Sequence, residues 1–144
     1  MNYFLAKSEP GTYSIDDLER DKRTVWDGVK NAQAVRAILQ MQVGDRVFIY
    51  HSGGVSAIVG WARVYGPGVP DPKNPKSAVA GFEFGGRLGN SADDSKVPPT
   101  TLSDIKQSKL FDDWALVRQS RLSTMAVPDA FVDWMRKRYP KAGL

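Results

Sequence analysis

The chain has 144 residues, 42% hydrophobic and 25% charged, which is one domain's worth of ordinary globular composition and excludes a disordered chain. It has no cysteine and a single histidine, His51, so a disulfide framework, a thiolate nucleophile, a sulfur-ligated zinc site and the usual multi-histidine metal clusters are all excluded. A net charge of +4 suits an anionic partner such as nucleic acid without requiring one.

Residues 3–6 are aromatic and apolar and stop at the turn-rich Lys7-Ser8-Glu9-Pro10-Gly11, which predicts a first strand. Ser14 followed by Asp17 resembles a capping box with a shortened acid, opening a short helix over 15–20. Thr24-Val25-Trp26 is β-prone and ends at Asp27-Gly28. Asn31 then caps a second helix with Ala34, Val35, Ile38 and Leu39 on one face. The apolar run inside 46–51 implies a strand buried on both faces. Residues 57–65 form a further strand, and the four prolines between Gly66 and Lys76 predict an irregular surface excursion.

Residues 79–88 read as a strand blurred by Gly81, Gly85 and Gly86, a pattern that marks a bulge. The 89–96 segment is polar and reads as a mobile loop, 102–106 reads as a short helix, and 110–114 is ambiguous. A last strand is expected over 121–127, and Pro128 at a first helical position opens a final helix with Phe131, Trp134 and Met135 buried. Strands in succession with irregularly placed helices predict class α+β, with a mixed or antiparallel sheet curling towards a barrel in a single domain over 1–144. No apolar run approaches the ~20 residues of a spanning helix. Residues 1–5 lack the marks of a secretory signal, and a cytoplasmic location is the expectation.

Catalytic patterns are weak. His51-Ser52-Gly53-Gly54 has the look of an oxyanion loop, and Gly54-Val55-Ser56 of the front half of a nucleophile elbow. The elbow needs glycine where Ile58 stands. A phosphate loop and a dinucleotide fingerprint are absent from the sequence. The adjacent acids Asp16-Asp17, Asp93-Asp94 and Asp112-Asp113 suit helix starts and solvated loops better than a shared proton. Trp26 has two readings. It is either a core tryptophan or, standing before a helix N-terminus and the Asn31 amide, a stacking platform for a nucleobase.

Six blocks occur in order: Lys7-Ser8-Glu9-Pro10 with Tyr13-Ser14, Trp26-Asp27-Gly28-Val29-Lys30-Asn31, Gly44-Asp45, Tyr50-His51-Ser52, Pro70-Asp71-Pro72, and the stretch from Leu116 through Arg118 and Arg121 to Ser123. Together they resemble the EVE domain family over about residues 2–134. The resemblance implies a PUA-like curved β-barrel flanked by helices and a non-enzymatic module that reads a modified nucleobase, in DNA by preference. It implies no cofactor, metal or membrane partner. By the same resemblance Trp26, Gly28 and Asn31 line the pocket, Lys7 and Ser8 flank its mouth, and Tyr50, His51 and Ser52 sit beside it. Lys30, Arg118 and Arg121 either meet phosphate or brace the fold. Because the chain begins at the first strand, a stand-alone bacterial member is expected. Three positions depart from the family pattern: Lys30 replaces an arginine, Ala32 an aromatic, and Ser77 stands near a missing tryptophan. The alternatives are an RNA-binding PUA-like module and a small nucleotide- or nucleic-acid-processing enzyme using His51 as acid–base.

Overall fold

The computed structural model describes residues 1–89 and 97–144. Residues 90–96, which hold most of the polar loop expectation and the Asp93-Asp94 pair, lie outside the described residues. The elements run β1 (Tyr3–Ser8), α1 (Ile15–Asp21), β2 (Arg23–Trp26), α2 (Ala32–Leu39), β3 (Arg46–His51), β4 (Ala57–Asp71) and β5 (Asn74–Arg87). They continue with β6 (Thr100–Thr101), α3 (Leu102–Ser108), α4 (Ala115–Arg118), β7 (Thr124–Ala126) and α5 (Asp129–Arg138).

Seven strands form one mixed sheet ordered β2-β5-β4-β3-β1-β7, with β6 added to β4. Only β1 and β3 pair in parallel, in register from Tyr3 on Arg46 to Ser8 on His51; the other described ladders are antiparallel. The α+β expectation holds, but the described strands do not close a barrel. The outermost strands β2 and β7 do not pair with each other, and α2 packs against β4, β5 and β7 instead.

Local chemistry sets several boundaries as the sequence implies. Ser14 Oγ accepts the Asp17 N–H and Asp17 returns the bond to the Ser14 N–H, completing a capping box. Asn31 Oδ1 accepts from the backbone N–H groups of Gln33 and Ala34 at 2.8 and 3.2 Å. The central residues of β3 are buried on both faces; β1 and β4 flank it within the sheet, and the Phe131 ring of α5 packs on Phe48. The buried Asp45 carboxylate accepts the backbone N–H groups of Asn2 and Gln42, tying the turn before β3 to the start of β1.

Several further expectations need correction. The proline-bearing stretch is not an irregular excursion: Pro67 and Pro70 lie inside β4 and Pro75 inside β5, the arms of one long hairpin. The β4–β5 register shifts between Gly66 and Val69, so Pro67 sits where the ladder asks for no donor. There the Gly68 N–H bonds to the Met41 carbonyl instead, and a Cβ on Gly68 would collide with the Ile38 carbonyl oxygen. Leu39 is 43% exposed rather than on the buried face of α2. The last strand shrinks to three residues, and the ambiguous 110–114 stretch is a turn leading into the short α4. Pro128 is the cap residue before α5, one position earlier than expected.

The expected glycine bulge is present. Trp61 pairs with Gly86 and Ala62 with Phe84, leaving Gly85 to pass over the Trp61 ring. A Cβ on Gly85 would collide with that indole. On α5, Phe131, Val132 and Met135 are buried while Trp134 is partly exposed. Phe131 packs edge-on to Phe48 of β3 and to Phe111, fastening α5 to the sheet.

Candidate functional site

A cavity of about 530 Å³ opens between the end of β1, the turn before α1, strand β2 and the turn into α2. Its size falls within the ~300–1,000 Å³ common for small-ligand sites. Trp26 forms part of its wall. The indole stacks on buried Phe82 at 5.1 Å between ring centres and meets the Tyr13 ring edge-on at 6.3 Å. Period-two geometry explains the posture: Thr24 and Trp26 turn towards the body while Arg23 and Val25 face outward. Gly28, with φ at +75°, makes the turn that carries the chain from Trp26 to the α2 cap, and a side chain there would be strained.

The opposite wall is held by local hydrogen bonds. Ser8 Oγ donates to the Tyr13 carbonyl at 2.6 Å, closing the loop of residues 9–13 over the end of β1. Tyr13 donates its phenol to Asp21 at 3.0 Å; burial raises its pKa above the ordinary phenol value. Lys7 donates from Nζ to the Ser120 carbonyl at 3.1 Å and lies 5.4 Å from the Tyr50 ring centre. Burial lowers the Lys7 pKa. Ser123 completes the lining, because β1 pairs with β7 and the Lys7 N–H bonds to the Ser123 carbonyl.

The structure brings Lys7, Ser8, Trp26, Gly28 and Lys30 together around this cavity. It does not place Asn31, Tyr50, His51, Ser52, Arg118 or Arg121 among the lining residues. Asn31 is exposed at the start of α2 with its carbonyl oxygen committed to the cap. Tyr50 is buried beneath Lys7. Ser52 bonds through its backbone N–H to the Ser8 carbonyl. Arg118 holds the Asp112 carbonyl and the Asp113 carboxylate, and Arg121 is exposed in the turn before β7. Glu9, Thr12, Tyr13, Thr24, Asp27 and Ser123 line the cavity without having been singled out. Of these Glu9, Tyr13, Asp27 and Ser123 stand within the family-like blocks of the sequence, whereas Thr12 and Thr24 lie outside them.

His51 has a different task. Its Nε2 accepts the Ile15 N–H at 3.0 Å, capping the first turn of α1 beside Ser14. The acceptor nitrogen carries no proton, so the neutral ring holds its hydrogen on Nδ1. Burial lowers the His51 pKa; the Asp16 charge opposes that shift and the Arg87 charge adds to it. A depressed folded-state pKa means that the unfolded chain binds the proton more readily. The contribution is therefore present above the unfolded value of ~6.5 and is lost as pH falls through the folded one. The urea midpoint should drop between pH 7.5 and pH 5.5. In His51→Gln the midpoint should be nearly flat over that window, and an equal drop in that variant would remove His51 as the cause.

The family model of the EVE domain matches residues 2–138. The chain belongs to the EVE domain family. Rat thymocyte nuclear protein 1 is 37% identical over 82 residues, which cover 49% of this chain. The chain spans about a third of that relative's length, 36%. Among solved structures, a protein of Rhodopseudomonas palustris shares 30% identity with a TM-score of 0.84, covering 97% of this chain and 94% of its own. The human THYN1 protein, solved in complex with 5-methylcytosine-containing DNA, has a TM-score of 0.80 at 22% identity. Coverage there is 95% of this EVE domain and 96% of the human chain, and at that identity the likeness is one of fold.

Proposed function

We propose that this EVE domain binds DNA and reads a modified base, holding it in the cavity beside Trp26. The supporting observation is an indole whose one face rests on Phe82 while the residue lines a cavity of base-compatible size. A planar base entering that cavity stacks on the Trp26 face away from Phe82, for which ~1–3 kcal/mol is typical. Polar groups for reading an edge stand around it: the carboxylates of Glu9 and Asp27, the Thr24 hydroxyl, and backbone donors in the turn of residues 27–30. Lys7 and Lys30 supply positive charge. The DNA complex of the human THYN1 protein supports the choice of polymer.

The reading is non-enzymatic. His51, the residue a catalytic alternative would need, spends its Nε2 on the α1 cap. The test is a fluorescence-anisotropy screen of matched oligonucleotide duplexes carrying single modified bases, with unmodified DNA and RNA of the same sequence as controls. At least one modified duplex should bind ten-fold or more tightly than unmodified DNA. Equal affinity across the whole panel would refute base reading, and tighter binding of the RNA would transfer the function to that polymer.

A further inference from the structure

Beside the base cavity lies a second groove, about 280 Å³, between the exposed face of α2 and the edge strand β7. One wall is a helical stripe: Gln33, Arg36, Ala37 and Gln40 recur at spacings of three and four. The other is Leu122 with Thr124–Ala126, backed by Ala115. None of these lining residues is acidic. The two depressions share both of their borders. Lys30 lines the base cavity and Gln33 the groove, while Ser123 lines the cavity and its neighbours Leu122 and Thr124 the groove. Thr124 adds a buried hydroxyl that has no partner among the described residues.

The arginines separate the same way. Of the ten in the sequence, seven make ion pairs with carboxylates, and Arg46 holds the Gly143 carbonyl and lies over Trp61. Arg36 and Arg121 alone have no hydrogen-bond, ion-pair or aromatic partner among the described residues, and both are exposed at this groove or next to Leu122 on its wall. A guanidinium with no internal acid is available to bind phosphate as a fork. We infer that this groove is the track of the DNA strand flanking the base held in the cavity, with Lys30, Arg36 and Arg121 on its phosphates. The inference rests on the base-reading role proposed above. From Gln33 to Gln40 the helix rises about 10 Å, some three steps of a B-form strand at ~3.4 Å each. Arg118 is left out of the track because Asp113 and the Asp112 carbonyl already hold it.

The experiment measures anisotropy of a duplex with one 5-methylcytosine and of its unmodified twin across a salt series. Phosphate contacts carry no base information, so Arg36→Ala and Arg121→Ala should weaken both duplexes by the same factor. Each should lower the log–log salt slope by about 1. Arg36→Lys should restore the slope, Arg118→Ala should leave it unchanged, and melting temperatures should confirm folding. Unchanged slopes in the first two variants, or a fall confined to Arg118→Ala, overturn the track, as does wild-type protein that binds neither duplex. Reduced slopes in a protein that does not distinguish any modified duplex would support the track while refuting base reading.

Discussion

Trp26→Leu is expected to weaken binding of the preferred modified duplex by roughly 5- to 150-fold, the equivalent of ~1–3 kcal/mol of lost stacking. Leucine keeps apolar bulk over Phe82 but offers no flat face, so the loss should fall on the modified base. Binding of unmodified DNA through its phosphates should change little, which collapses the ratio between the two. Trp26 is only half-buried at an edge strand, and its aromatic contacts with Phe82 and Tyr13 are worth about 0.5–1.5 kcal/mol each. That loss is small against the ~5–15 kcal/mol of a typical domain, so the variant should fold. Calorimetric melting alongside the binding titration checks both halves. A folded Trp26→Leu protein with unchanged discrimination would place the base elsewhere.

Phe131→Ala should have the largest effect on stability, about 3–5 kcal/mol, the range for emptying a phenylalanine site in a packed core. Phe131 is wholly buried and lies within 6 Å, centre to centre, of Phe48, Phe111, Trp114 and Trp134. The ring joins α5 to β3 and to the turn ahead of α4, so its neighbours, fixed to three separate elements, cannot close the void. Urea unfolding should show a lower midpoint with the slope retained. A cost below ~1 kcal/mol would mean that α5 is not fastened through this ring.

The caps were legible in the sequence because their chemistry is local. Ser14 and Asp17, and Asn31 with the two amides after it, satisfy each other within one turn. Burial of β3 on both faces showed in its unbroken apolar run. The long hairpin was hidden, since whether Pro67 and Pro70 are tolerated depends on where the partner strand shifts register, which no local pattern displays. The site divides along the same line. Trp26, Gly28 and Lys30 are one continuous turn, and Lys7 and Ser8 end a recognisable strand. Ser123 reaches the cavity only through the β1–β7 ladder, a pairing across more than a hundred residues. His51 was visible as the lone histidine, but its bond to Ile15 depends on how the strand end meets α1.

The parallel pairing of β1 with β3 and its antiparallel pairing with β7 also bear on how the chain is made. Leu5 pairs with Phe48 on one side and with Met125 on the other. At synthesis rates of ~5–20 residues per second, the second partner leaves the ribosome about 6–24 s after Leu5 does. During that interval one edge of β1, an apolar strand, offers unpaired backbone groups to any other chain. Nascent chains should therefore depend on chaperones until β7 arrives. Ribosome-stalled intermediates ending before Ser123 should aggregate, lacking both the sheet edge and the last wall of the cavity.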